Sequence, residues 1–149
     1  MSSALARVGR ALPALWAGAL ITVAAIATPA PFATLARADA GRVVARILAQ
    51  EAYSSLVVGV VLLLAARRRA AASAAAGRGS VFSGDMLLVL GTIACTVAGY
   101  FGVQPLLGAA RAGQGAFSFA QLHAFSVACY LFKCVLVLTI VWRTAGTTG

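Results

Sequence analysis

Lys133 is the chain's single lysine, and it lies inside an otherwise apolar stretch, residues 122–142. A fixed positive charge at that depth in a bilayer costs about 3 kcal/mol unless something compensates it. At about 100° per residue of helix, His123, Ser126, Tyr130 and Lys133 fall within an arc of roughly 80°, a polar stripe that lipid would reject. Glu51, with Ser54 and Ser55 close behind it, is the one carboxylate well inside an apolar stretch, which makes it the natural partner. Two kinds of chemistry suit such a set. The residues can form an internal polar clasp that fixes helix register, or they can line a hydrated pathway in which Glu51, His123 and Lys133 change protonation with cargo or pH. A third use rests on His123 alone, as an imidazole contact to copper or haem.

The elements that must position these residues follow from composition. The chain is 62% hydrophobic and 10% charged, with a mean hydropathy of +0.96, outside the range of soluble globular proteins. Four apolar runs, 12–28, 43–66, 85–107 and 119–142, are long enough to cross about 30 Å of hydrocarbon at about 1.5 Å per residue. They are apolar all round, whereas a membrane β-barrel needs short alternating strands. The expected fold is all-α: an integral membrane four-helix bundle, one domain over residues 1–149, with a flexible basic loop at 67–84. Glu51 then starts roughly 8 residues into its helix and Lys133 roughly 14 into the last, so they differ in depth by about 9 Å. Pairing across that offset requires the reach of the lysine side chain or a bridging water.

The net charge of +9 sits in short connections beside apolar runs, where it orients helices, and no basic stripe with interleaved aromatics points to nucleic acid. With both termini inside, Arg7, Arg10, Arg67, Arg68, Arg69, Arg78 and Arg143 face the cytoplasm, against Arg37, Arg42, Arg46 and Arg111 outside. That excess predicts an N-in, C-in protein. Trp16 and Trp142 are then expected at the inner interface, and Phe32, Phe117 and Phe119 at the outer one. The Arg67–Arg69 run reads as a solvated anchor against anionic lipid. Ala36-Arg37-Ala38 and Ala38-Asp39-Ala40 imitate signal-peptide cleavage sites, but the apolar stretch before them is longer than a usual signal, so it is read as a retained helix.

Small residues mark the expected contacts between helices: Gly91, Cys95 and Gly99 in the third, Gly18 in the first. Cys95, Cys129 and Cys134 show no metal or redox spacing and read as small buried hydrophobes, so neither metal nor cofactor is expected. The two halves share a trace of repetition, since Pro31 with Arg37-Ala38 and Pro105 with Arg111-Ala112 are both offset by 74 residues. No phosphate-binding loop, nucleophile elbow, zinc-protease helix or dinucleotide fingerprint occurs, so an enzyme is not expected.

Phe119 to Ser126, containing Leu122, His123 and Ser126, followed by Tyr130 and Leu131, resembles a known pattern when taken with Leu15, Trp16 and Gly18 and the proline-containing end of the first helix. It looks like that of the bacterial four-helix membrane proteins of domain of unknown function 4149, which are similar to the transmembrane protein 205 family. The resemblance implies a membrane location and four helices, and it brings no activity with it. A structural, assembly or interaction role is the leading expectation, a small transporter or solute-handling protein the second, and a metal or haem factor the third. The lipid bilayer is the expected environment, and a second copy or partner membrane subunit would supply any further wall.

Overall fold

The computed structural model describes residues 3–146, with side chains from Arg10 onward; the side chain of Arg7, counted above for orientation, lies outside the described residues. The chain is helical apart from short turns, and no strand forms among the described residues. Its elements are α1 (Ser3–Thr22), α2 (Ala30–Thr34), α3 (Arg37–Ala75), α4 (Gly84–Thr96), α5 (Gln104–Arg111) and α6 (Phe119–Ala145). Four stretches are long and apolar enough to cross a membrane: Arg10–Thr34, Arg37–Ala75, Gly84–Arg111 and Phe119–Ala145.

The first and third spans are both interrupted. A π-helical turn, Val23–Ala27, joins α1 to α2, and another, Val97–Phe101, joins α4 to α5. The first closes with Thr28 N–H donating to Val23 O at 2.9 Å, the second with Gly102 N–H donating to Val97 O at 2.8 Å. Proline lies just beyond each, at Pro29 and Pro31 and at Pro105, where its missing N–H leaves carbonyls one turn back without their usual donor. The two turns are again 74 residues apart, and each begins within the tripeptide Thr-Val-Ala, Thr22 to Ala24 and Thr96 to Ala98. The first and third spans therefore share one interrupted design.

Charge did not end the second helix where the apolar run suggested. α3 begins at Arg37, not near residue 43, and continues to Ala75, so Arg67, Arg68 and Arg69 are helical and the loop shrinks to residues 76–83. Arginine is a good helix former, and outside the hydrocarbon nothing penalises its charge. Glycine ends the helix: Gly77 takes φ +69°, and Arg78 N–H reaches back to Ser73 O at 2.9 Å. α5 stops the same way at Gly113, φ +70°, with Gln114 N–H on Ala109 O at 2.8 Å. α6 opens on a capping box, with the Ser118 hydroxyl accepting from Gln121 N–H and the Gln121 side chain from Ser118 N–H.

The spans form a ring. Each packs against its neighbours in sequence, and the fourth closes on the first, so the first and third, and the second and fourth, are diagonal. Trp16, Leu20, Leu62, Val89, Val137 and Ile140 fill the centre. In lipid this core gains little from burying apolar surface, so close packing and internal hydrogen bonds must hold it. Small residues supply the close approach. A side chain at Gly91 would meet Leu136 at 2.9 Å, and one at Gly99 would meet Cys129 Cβ at 2.5 Å. Gly59 of α3, which the sequence pattern did not single out, does the same against Ile93 at 2.9 Å. Gly18 does not: it is exposed, with open space around it, because the buried face of α1 carries Trp16, Ala17 and Leu20 instead.

Candidate functional site

Glu51 lies fourteen residues beyond Arg37 in α3, and Lys133 fourteen beyond Phe119 in α6, so the two stand at equal depth on diagonal helices. The 9 Å offset expected from the sequence disappears, because α3 begins six residues earlier than its apolar run. Lys133 Nζ donates to Glu51 Oε1 at 2.7 Å, with side-chain exposures of only 3% and 10%. Backbones across a diagonal are too far apart for short side chains to meet. A lysine and a glutamate span the gap.

Other groups complete the set. Ser55, one turn after Glu51, donates its hydroxyl to Glu51 Oε1 and lies 3.4 Å from Lys133 Nζ. Trp16, 6% exposed, donates Nε1–H to Ser55 Oγ at 3.0 Å. It is thus a core residue and not an inner-interface anchor, whereas Trp142 stays 83% exposed. Tyr130 lays its ring under Lys133 Nζ, 4.7 Å from the ring centre, and donates its hydroxyl to Leu20 O at 2.9 Å. These contacts tie the first, second and fourth spans. Ser126 joins the third, donating to Gly99 O at 2.7 Å where the absence of a side chain lets α6 close in. Thr92 and Thr96, both buried, turn their hydroxyls back to Val89 O and Thr92 O. Among the described residues no buried side-chain nitrogen or oxygen lacks a partner.

The expected stripe is therefore real for Ser126, Tyr130 and Lys133 and fails at His123. His123 is exposed near the start of α6 and stacks on Phe119, ring centres 5.9 Å apart, with the Arg111 guanidinium 5.4 Å from the other ring. Ser54 is exposed as well. Cys95 and Cys134 are partly buried, and among the described residues no three His, Cys, Asp or Glu side chains gather as a metal would require. Beside the ion pair lies a cavity of about 30 Å³, bordered by Glu51, Cys95, Thr96, Ser126, Tyr130 and Lys133, with room for a water molecule or two. The arrangement is a net-neutral, fully partnered buried pair with a small polar space against it. Trp16 is the member that sequence reasoning missed.

A family model described as Domain of unknown function (DUF4149) matches residues 11–116. The match takes in the first three spans, with Trp16, Glu51 and Ser55, and stops short of α6 and Lys133. Neither a curated protein nor a solved structure matches the chain.

Proposed function

From the premise that the chain belongs to the DUF4149 family, we propose that it is a structural or assembly protein of the bacterial inner membrane, with both termini in the cytoplasm and no enzymatic activity. The observation that carries this reading is the ion pair of Glu51 and Lys133, buried, closed by Ser55 and Trp16, and bridging the diagonal of the bundle. A buried pair contributes little net stability over apolar residues of the same size, but breaking it is expensive, so it selects one helix arrangement over others. A bundle locked in this way presents a fixed outer surface to lipid, a second copy or a partner subunit. The placement of the arginines supports the orientation: Arg10, Arg67, Arg68, Arg69, Arg78 and Arg143 lie toward one end of the bundle and Arg37, Arg42, Arg46 and Arg111 toward the other.

The small cavity beside Lys133 favours a second reading, a transporter whose polar pathway opens from it. Proteoliposomes separate the two. An assembly protein gives no proton or ion flux above protein-free vesicles, and Lys133→Met changes nothing in that measurement. Flux through the wild type that Lys133→Met abolishes would replace the assembly reading with the transport one.

A further inference from the structure

At the end of the bundle that the proposed orientation places in the cytoplasm, far from the ion pair, a cavity of about 390 Å³ opens between the end of α3 and the loop that follows. Such a volume falls within the range of about 300–1,000 Å³ typical of small-ligand sites. Arg69 and Arg78 border it, along with Ser73, Ser80 and Ser83. Among the described residues neither arginine has an ion-pair partner. The one carboxylate at the rim, Asp85, is taken by Arg143, whose Nε lies 2.9 Å from Oδ1. The cavity therefore keeps about two uncompensated positive charges. Ser80 and Ser83 accept backbone N–H groups from Phe82 and Met86, at 3.1 and 3.3 Å, which fixes each oxygen and leaves each hydroxyl hydrogen to donate.

Depth identifies the occupant. Lys133 lies near the middle of α6, which puts Glu51 near the bilayer centre. Arg143 is ten residues further along, about 15 Å, at the hydrocarbon edge, and Arg69 is eighteen residues beyond Glu51, about 27 Å. The cavity reaches from the level of Asp85 and Arg143 to that of Arg69, so it spans the headgroup layer. At its mouth Phe82 is 76% exposed and Val81 beside it is also exposed, apolar side chains in place to meet glycerol and upper acyl carbons. We propose that this cavity binds the phosphodiester of an anionic phospholipid, with Arg69 and Arg78 on the phosphate oxygens and the serine hydroxyls on the remaining acceptors. Arg67 and Arg68, on the same helix but outside the cavity, contribute only diffuse attraction.

The test uses the full chain purified in neutral detergent, titrated with phosphatidylglycerol, phosphatidylcholine or inorganic phosphate, with thermal unfolding and lipid adducts in native mass spectrometry as the two readouts. Phosphatidylglycerol should raise the midpoint saturably and give a one-to-one adduct, while the other two have little effect. Arg69→Gln with Arg78→Gln should weaken the apparent affinity about 30-fold, at about a fivefold loss per charge. The same charge removed at Arg67→Gln with Arg68→Gln should leave affinity within about threefold. Among the described residues neither pair makes an ion pair, so all variants should melt together without lipid, and this control separates binding from folding. Equal weakening by the two double mutants, or the absence of a saturable effect, would overturn the site. Protection by inorganic phosphate equal to that by phosphatidylglycerol would overturn its assignment to lipid.

Discussion

Replacing Lys133 by methionine keeps nearly the same side-chain length while removing the charge, and the structure sets the size of the loss. Glu51 keeps the Ser55 hydroxyl but loses the ammonium at 2.7 Å, so a buried carboxylate is left uncompensated. Stranding one member of a buried pair costs about 3–5 kcal/mol. The destabilisation should therefore fall at about 3–5 kcal/mol. Combining Lys133→Met with Glu51→Gln puts a neutral amide beside Ser55 and Trp16, and stability should recover to within about 1 kcal/mol of wild type, at least 2 kcal/mol better than the sum of the single mutants. Trp16 makes the measurement local. In a Trp142→Phe background it is the one remaining tryptophan, and its indole N–H ends on the same serine, so its fluorescence during denaturing-detergent titration reads the site as well as the fold. A double mutant no more stable than the sum of its singles would show that Glu51 and Lys133 are not energetically coupled, and the clasp would be lost as an explanation.

Two further outcomes test packing and orientation. Gly99→Leu must push a side chain into Cys129 and should cost about 1–3 kcal/mol or more, whereas Gly18→Leu, which faces open space, should stay within about 0.5 kcal/mol; equal thermal midpoints in detergent would remove Gly99 as a contact. Reporter fusions after Arg78 and Arg143 should read cytoplasmic and one after Arg111 external, and the intact mass should retain residues 1–38; a cytoplasmic reading at Arg111 would contradict the four-span topology, and a mature start near Asp39 would show a cleaved signal.

Number and type of helices were legible because apolar runs of about 17 residues or more leave few alternatives. Their ends were not. Arg42 and Arg67–Arg69 looked like boundaries because they flank the hydrophobic pattern, yet a helix continues through charge until a glycine such as Gly77 stops it. The six-residue error at the start of α3 accounts for the whole of the 9 Å offset assigned to Glu51 and Lys133, since about 1.5 Å is lost per residue. The pairing itself could be read from residue type alone, as one lysine and one carboxylate inside lipid have few other options. Trp16 could not. A tryptophan six residues from Arg10 resembles an interface anchor, and only the packed bundle shows Ser55 within reach of its indole. His123 sits at the edge of the polar arc and near the end of α6, where helical angle alone cannot distinguish inside from outside. The π-turns left one trace, the prolines 74 residues apart.

The matching depth of Glu51 and Lys133 has a consequence for symmetry. They stand at the same depth in two successive hairpins, on opposite sides of the long axis of the bundle. Two identical copies of either hairpin, arranged in that way, would set carboxylate against carboxylate or ammonium against ammonium, and like charges in a low-dielectric core repel. Opposite charges can meet across such an axis only when the halves differ. Joining them in one chain fixes the ratio of the halves at one to one and their insertion in the same sense, so that electroneutrality at the centre of the membrane is a property of the polypeptide and requires no choice of partner.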